Sequence, residues 1–226
     1  MKELSEIGII VQARLGSQRC PEKMIRPFAG SNLVSILLEK LKSKILPTQN
    51  IYLSAHEKQL RDIATKHQIT VFPRSLKSAN WDGVGKITEI FEWWDKIPFK
   101  YVIVISACCP MLSVETIDDF IIAYIKSKRD GMFGVIKKKN YIWSSEGRIL
   151  NEPSLTAAPD TKAVKPFLEA AHCLYAGSMK DIGNNIWMGD FAKQGDIDFF
   201  EVEEEEVFDI DHEWQFKICE SIYKTI

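Results

Sequence analysis

The stretch IGIIVQARLGSQRCPEKM, residues 7–24, joins an apolar run to a loop that carries three positive charges within ten residues. Runs of Ile and Val without polar alternation are typical of strands that are buried on both faces of a parallel sheet. In open parallel sheets, ligands bind at the carboxyl ends of the strands, and the loop after the first strand is a frequent phosphate site. This stretch therefore predicts both a fold class and the place where a ligand binds.

Outward from this stretch, short apolar runs alternate with helical patterns through the first 130 residues. Strands and helices that take turns imply right-handed crossovers and a mainly parallel sheet that is covered on both faces. We therefore predict a three-layer α/β/α, Rossmann-like fold. Its predicted strands are IGIIV, IYLSA (51–55), ITVF (69–72) and YVIVIS (101–106), and its predicted helices lie near residues 31–44, 57–67, 85–96 and 114–128.

The pattern changes after FGVI (133–136). Residues 137–153 alternate polar and apolar side chains around Ser-Glu-Gly, which favours a hairpin, and residues 154–166 have the composition of a loop. We expect residues 137–170 to leave the main sheet as a protruding arm. The chain then returns with HCLYAG, a short helix, the strand DIDFFEVE and a last helix from about 212 to 224. Nothing indicates a second domain, so we predict a single domain over residues 1–226.

The composition argues against several classes of protein. With 226 residues, of which 46% are hydrophobic, the chain is long enough for one buried core. Its net charge of −2 provides no overall basic field to recruit nucleic acid. The apolar run near the N-terminus is too short for a signal peptide or a membrane span, and the five cysteines form no CxxC pair. We therefore expect a cytoplasmic protein that binds neither nucleic acid nor membranes.

The loop after the first predicted strand has the residues of an anion site. Gly16 and Ser17 allow close approach of the backbone, and Arg14, Arg19 and Lys23 supply charge. An arginine fork matches two phosphate oxygens at once, and lysine adds a mobile point charge. Together these groups could offset the charge of a triphosphate. The alternative is a solvated basic loop without a ligand.

A pair of carboxylates lies near the end of the chain, in DIDHEWQF. If this segment is extended, Asp209 and Asp211 leave the same face, roughly 6 to 7 Å apart at the backbone. Two carboxylates at that separation repel each other by about 2 to 3 kcal/mol at an effective dielectric constant of 20. Mg²⁺ relieves such repulsion and accepts a few carboxylates plus water and phosphate oxygens. Alternatively, Asp211 is the N-cap of the last helix, and the two interpretations are compatible.

The stretch VQARLGSQRCPEKMIRPFAG resembles the signature loop of the sugar-activating cytidylyltransferases, which include CMP-sialic acid and CMP-Kdo synthetases. The similarity continues at intervals over nearly the whole chain, and DIDHEWQF matches the family's D-x-D segment. The resemblance implies a nucleotidyltransferase version of the fold, CTP bound by the basic loop, and Mg²⁺ held by Asp209 and Asp211. It also implies a homodimer that forms through the arm.

Other positions match the family singly. Arg74 matches an arginine before the segment that closes over cytosine, and Ser106 matches a polar position in the loop that contacts the base, ribose or acceptor. Lys162 and Tyr175 match acceptor-binding positions. By contrast, Met24 and the Cys108–Cys109 pair stand where relatives have polar groups. Met24 bears on the nucleotide contacts, and the loop around Cys108 indicates an unusual acceptor.

The resemblance implies that CMP is transferred from CTP to the anomeric hydroxyl of an acidic sugar, with release of pyrophosphate, for surface polysaccharide synthesis. It favours the acylneuraminate branch, and it assigns catalytic roles to Arg14, Lys23 and Asp211. Two alternatives remain open. The protein could be a non-catalytic nucleotide-binding relative, or a nucleotidyltransferase for another nucleotide or sugar.

Overall fold

The computed structural model describes residues 1–42, 45–81, 83–151 and 161–225. The strands are β1 (Ile7–Gln12), β2 (Ile51–Ala55), β3 (Thr70–Pro73), β4 (Tyr101–Ile105), β5 (Gly131–Lys138), β6 (Phe167–Ser178) and β7 (Ile197–Glu201). The helices are α1 (Leu33–Leu41), α2 (Lys58–Lys66), α3 (Leu76–Ala79), α4 (Ile87–Ile90), α5 (Val114–Lys126), α6 (Met179–Gly183) and α7 (Glu213–Tyr223). The strands form one sheet in the order β3-β2-β1-β4-β6-β5-β7.

The sheet is mainly parallel, as the alternation of strands and helices predicts. Strand β1 runs parallel to both β2 and β4, and β2 runs parallel to β3. Strand β6 is antiparallel to its neighbours β4 and β5, while β7 is parallel to β5. The carboxyl ends of β1, β2, β3 and β4 therefore meet at one edge, where the loops that follow them come together.

Both faces of the sheet are buried, because neighbouring residues of β1 enter different core clusters. Ile9 and Val11 pack in the cluster that includes side chains of α1, α2 and α5. Ile10 packs in the opposite cluster, which contains Trp93 and residues of α6. Layers of helix and loop therefore lie on each side of the sheet, and the predicted three-layer α/β/α class is confirmed.

The helix predicted over residues 85–96 is much shorter than expected. Helix α4 ends after Ile90, and the chain continues in turns. Trp93 is fully buried, and the Glu92 carboxylate accepts a hydrogen bond from the backbone N–H of Ser75 (2.8 Å). These tertiary contacts direct side chains to positions that a regular helix does not provide, and so they override the local helical pattern.

The arm in the structure begins later and ends earlier than the predicted range 137–170. Strands β5 and β6 remain paired as far as Lys138 and Phe167, so both ends of the predicted range belong to the sheet. The predicted hairpin is present beyond them, with an antiparallel bridge between Trp143 and Ile149. Residues 154–160 of the predicted loop lie outside the described residues. Pairing of two copies through this arm stays a prediction.

Among the residues that the structure describes, none of the helices has the length and apolar character needed to cross a membrane.

Candidate functional site

The loop that leaves β1 is fixed at its start by its neighbours on β2 and α2. The backbone N–H of Ala13 donates to the carbonyl of Ser54 (3.1 Å), and that of Leu15 donates to the Glu57 carboxylate (2.8 Å). The N–H of Ser17 then donates to the carbonyl of Leu15 (2.8 Å), which turns the chain. The loop therefore has a defined path directly above the carboxyl end of β1.

This loop borders a cavity of about 960 Å³. A cavity of this size is at the upper end of the usual range for ligand sites, and it can hold a nucleoside triphosphate. Its walls come from the loop after β1, the ends of β1, β3 and β4, the segment around α3 and α4, and the residues before α7. The lining residues include Gln12, Arg14, Gly16, Ser17, Arg19, Lys23, Arg74, Asn80, Trp81, Phe91, Val104, Cys108 and Asp211.

One region of the cavity, which we call the charged region, is formed by Arg19, Lys23 and Asp211. The Asp211 carboxylate lies 2.9 Å from the Arg19 guanidinium and 3.3 Å from the Lys23 ammonium. Lys23 is only 7% exposed and also donates to the carbonyl of Ile210. Residues that are almost two hundred positions apart in the sequence are thus brought together, as the convergence of the basic loop and the acidic pair predicts.

The surroundings of Lys23 keep its side chain charged. Burial acts to lower the pKa of Lys23, but the neighbouring Cys108, Asp211 and Asp209 outweigh it, so the pKa is raised. A buried cation with a raised pKa is a permanent positive charge at neutral pH. The cavity therefore holds a fixed lysine charge beneath the more exposed Arg19.

The carboxyl group of Asp209 is strained electrostatically. Burial, and then the charge of Asp211, raise the pKa of Asp209, while Lys23, His172 and Arg19 act in the opposite direction. A bound cation would remove this repulsion. Within the described ranges, no three or more His, Cys, Asp or Glu residues are grouped to hold a metal ion. Asp211 lines the cavity, whereas Asp209 is not among the described lining residues. These two carboxylates would fit Mg²⁺ only with water and phosphate as its other ligands, which is common for this ion.

The alternative role for Asp211, as the N-cap of α7, is wrong. His212 occupies the cap position, and the side-chain oxygen of Gln215 accepts hydrogen bonds from the backbone N–H groups of Asp211 (2.8 Å) and His212 (2.7 Å). Because His212 is the cap and forms a capping box with Gln215, the carboxylate of Asp211 does not cap the helix. It faces the cavity instead.

The loop after β1 is clamped to α7. Arg26 makes two hydrogen bonds to Glu213 (2.8 and 3.0 Å) and stacks over the ring of Phe216 at 4.0 Å. The backbone N–H of Ala29 donates to Glu220 (2.9 Å), and buried Phe28 packs edge-on against Phe216. The clamp fixes the basic loop relative to the acidic pair that precedes α7. Its residues were not predicted from the sequence.

The two remaining arginines of the prediction are held by the segment around α3. Arg14 reaches across the cavity edge and donates to the carbonyls of Ala79 (3.0 Å) and Trp81 (3.4 Å). Arg74 is 7% exposed and donates to both the hydroxyl and the carbonyl of Ser78 (2.8 and 2.6 Å). Burial, followed by the nearby charge of Arg14, lowers the pKa of Arg74 to about 10. Both arginines line the cavity, and Arg74 stays positive at neutral pH.

Another region of the cavity, which we call the amide region, is formed by Gln12, Phe91 and Val104. The Trp93 indole N–H donates to the side-chain oxygen of Gln12 (3.1 Å) from within the core. Phe91 stacks on Trp187 with ring centroids 4.3 Å apart. Sequence reasoning assigned no role to these residues. The only available signal was that Gln12 interrupts an apolar strand just before the basic loop.

Ser106, Tyr175 and Lys162 do not belong to the described walls of this cavity. The Ser106 hydroxyl accepts from the backbone N–H of Cys108 (3.2 Å) and so shapes the loop after β4. The Tyr175 hydroxyl pairs with Nδ1 of His172 (2.7 Å), and burial raises the pKa of Tyr175. Lys162 is exposed in a single turn, Thr161–Ala163. Their assigned roles stay predictions.

Comparison with known proteins shows the family to which this chain belongs. The family model described as "Cytidylyltransferase" matches residues 8–215. The spore coat polysaccharide biosynthesis protein SpsF of Bacillus subtilis is 23% identical over 130 residues, which are 56% of this chain and 53% of SpsF. The matched stretch thus spans about half the length of that curated relative.

Solved structures share the fold at low sequence identity. A cytidylyltransferase from Leptospira borgpetersenii has a TM-score of 0.66 at 14% identity, covering 98% of this chain and 87% of that one. A CMP:2-keto-3-deoxy-manno-octonic acid synthetase complexed with CTP has a TM-score of 0.68 at 10% identity, covering 98% and 99%. A 4-diphosphocytidyl-2C-methyl-D-erythritol synthase from Anaerococcus prevotii has a TM-score of 0.64 at 14% identity, covering 96% of each chain.

Proposed function

Because the chain belongs to the cytidylyltransferase family, we propose that it transfers CMP from CTP to the anomeric hydroxyl of an acidic sugar and releases pyrophosphate. The observation that carries the proposal is the charged region of the cavity, where a basic loop and a carboxylate meet in a space large enough for a triphosphate. This combination of fixed cations and carboxylates suits a metal-bound triphosphate. A solvated basic loop would not need a buried lysine.

In this proposal, Arg14, Arg19 and Lys23 surround the phosphates of CTP. Arg19 is 59% exposed on its side chain, so its pair with Asp211 can exchange for a phosphate at small cost. Lys23 is already buried and oriented, so it loses little conformational freedom when a phosphate binds. The two groups would thus act as a mobile and a fixed cation.

Asp209 and Asp211 would hold Mg²⁺. When bound, the ion neutralises phosphate charge that develops as the leaving group departs. The raised pKa of Asp209 supports this assignment, since a carboxyl group that is buried beside another carboxylate gains most from a cation.

Catalysis would consist mainly of positioning and charge neutralisation. The acceptor hydroxyl attacks the α-phosphorus in line with the leaving oxygen and gives its proton to water. The new ester bond forms as the bond from the α-phosphorus to the leaving oxygen breaks, and pyrophosphate departs with the bonding electron pair. The clamp between Arg26 and Glu213 supports this arrangement because it fixes the basic loop against the segment that bears the acidic pair.

The acceptor is proposed to be a 2-keto sugar acid of the sialic type or a relative of it. SpsF is named for polysaccharide biosynthesis, and one structural neighbour is named for a 2-keto-3-deoxy-octonic acid. These names support a sugar acceptor with an acidic group. Lys162 and Tyr175 are proposed to contact it, and Ser106 is proposed to contact the nucleotide. Homodimerisation is proposed to place the arm over the acceptor site of the neighbouring subunit.

The test is a pyrophosphate-release assay with the purified protein, Mg²⁺, each of the four nucleoside triphosphates, and a panel of acceptors. We expect release with CTP in the presence of a sugar acid, and none with glucose or with a polyol phosphate. Release with a polyol phosphate instead would reassign the acceptor. Binding of CTP without release in any combination would favour a non-catalytic relative, and no nucleotide binding at all would contradict the proposal.

A further inference from the structure

Gln12 is the last residue of β1 and belongs to the face of the sheet that carries Ile10. Ile10 packs in the same core cluster as Trp93 and Val104. Because side chains alternate along a strand, Gln12 follows Ile10 on this face, and it is half-buried where the core opens into the cavity. The side-chain amide of Gln12 can therefore contact both the core and a ligand in the cavity.

Trp93 determines which atom of the amide faces the ligand. Its side chain is fully buried, and its indole N–H donates to the Oε1 atom of Gln12 at 3.1 Å. An indole nitrogen can only donate a hydrogen bond, so the oxygen of Gln12 must be the atom that faces it. The Nε2 amino group has no hydrogen-bond partner among the described residues. It remains as a donor for whatever occupies the cavity.

The surroundings of Gln12 fit a flat ring better than a phosphate. Phe91, Ile90 and Val104 give this region apolar walls, and Phe91 is held in place by its stacking on Trp187. Arg19 and Lys23, which suit phosphate, lie in the charged region with Asp211, whereas Arg14 and Arg74 are held by the segment around α3. Apolar walls with one oriented amide are typical of sites that select a ligand by the hydrogen-bonding edge of a ring.

We propose that Gln12, held by Trp93, is a specificity-determining residue that donates its Nε2–H to the ring N3 atom of the nucleotide base. This inference rests on the proposed function and adds a residue that selects cytosine. In cytosine N3 accepts a hydrogen bond, whereas in uracil N3 carries a hydrogen and donates. A donor fixed in the protein therefore pairs with cytosine and meets an opposing donor in uracil.

The role of Trp93 is to prevent the amide from turning over. A free glutamine amide could rotate by half a turn and offer its oxygen to the N3–H of uracil, so an unrestrained Gln12 would select poorly. With Oε1 engaged, rotation would place two donors against each other inside the core, which leaves a buried donor unpaired. Trp93 is thus a positioning residue for Gln12.

The experiment measures the dissociation constants of CTP and UTP for the full chain, with Ca²⁺ in place of Mg²⁺ to prevent turnover. We expect the parent protein to bind CTP at least tenfold more tightly than UTP. Gln12→Ala should weaken CTP binding about tenfold, as expected for one hydrogen bond, and should leave UTP binding the same or tighter because the opposing donor is gone. Gln12→Glu keeps an acceptor for Trp93 but presents another acceptor to the base, so it should reverse the preference.

Trp93→Phe tests the positioning role because it keeps an aromatic ring but removes the N–H donor. We expect CTP affinity to change little and UTP affinity to rise, so that the ratio falls about tenfold. Trp94→Phe is the matched control, since Trp94 packs against Gly183 on α6, and it should keep the parent ratio. If Trp93→Phe does not fold, the two Gln12 variants still show whether Gln12 selects CTP over UTP.

The outcomes separate the two proposals. A parent protein that prefers CTP, together with Gln12 variants that keep its CTP to UTP ratio within twofold, overturns the role of Gln12 and leaves the proposed function intact. A parent protein that binds neither nucleotide, or binds both equally, overturns both proposals.

Discussion

In the charged region of the cavity, side chains from distant segments of the chain hold one another by charge, whereas the amide region joins a pair of uncharged groups through one hydrogen bond. Arg19 and Asp211 are both partly open to solvent, so their pair is weak and can exchange partners. Trp93 is fully buried, so its bond to Gln12 is protected and cannot be exchanged cheaply. The first arrangement suits neutralisation of a changing charge, and the second suits recognition of a constant shape.

The largest expected effect comes from Asp211, which should govern turnover. Asp211→Ala removes the carboxylate that pairs with both cations and that would hold the metal, and we expect kcat to fall on the order of a thousandfold or more. Asp211→Asn keeps the side-chain volume and separates loss of charge from loss of packing. The measurement is the rate of pyrophosphate release at saturating CTP.

The control is Asp62→Ala, which removes an exposed carboxylate of α2 that pairs with its helix neighbour Lys58. It should leave the rate unchanged. If both Asp211 variants turn over at near the parent rate while Gln12→Ala changes nucleotide preference, then the charged region has no catalytic role and the contrast between the two regions fails.

A smaller effect is expected at Asp209, where a substitution should increase the stability of the fold. Burial and then Asp211 raise the pKa of Asp209, so the folded state holds this proton more tightly than the unfolded chain does. Protonated Asp209 therefore contributes to the free energy of unfolding. This contribution is complete below the pKa that Asp209 has in the unfolded chain, and it is lost as the pH rises through the pKa that Asp209 has in the folded state. At pH 7 without metal, Asp209→Asn should therefore unfold at a higher urea concentration than the parent protein.

The difference in urea midpoint between Asp209→Asn and the parent protein should shrink as the pH falls through the raised pKa of Asp209. At pH 7, millimolar Mg²⁺ should also reduce this difference, because it stabilises the parent protein. Asp119→Asn, an exposed position on α5, serves as the control and should show neither trend. Equal urea midpoints for the parent and Asp209→Asn at pH 7 would show that Asp209 carries no electrostatic strain.

The smallest effect is expected from the clamp. Arg26 and Glu213 are half-exposed, so Arg26→Ala, Glu213→Ala and the double variant should all fold. If the pair acts as a unit, the double variant should lose no more CTP affinity than either single variant, and the coupling should weaken as salt is added. Strictly additive losses would show that the clamp does not position the loop.

Much of the fold and the charged region could be predicted because their signals are local. The apolar runs give the parallel strands, and the charges after β1 together with Asp211 of the acidic pair mark two sides of one cavity. The extent of α4 could not be predicted in the same way. Burial of Trp93 depends on the sheet beneath it, which the local periodicity of residues 85–96 does not encode.

The amide region was missed for a related reason. Glutamine and tryptophan are generic residues, and Gln12 and Trp93 lie 81 positions apart, so no spacing links them. The clamp was missed because Arg26 and Glu213 each have an ordinary explanation, as a surface charge and as an acidic residue in the first turn of a helix. Only the tertiary hydrogen bonds show that the members of each pair act together.

The contact between Lys23 and Ile210 spans 187 positions, and this has a consequence for the time course of synthesis. During synthesis on the ribosome, the basic loop emerges early. It cannot form its contacts with the segment before α7 until that segment is made, near the end of synthesis. Contacts with such separation close late, because a long loop must be ordered first. Nascent chains halted before α7 should therefore have a largely assembled sheet and yet no competence to retain a nucleotide.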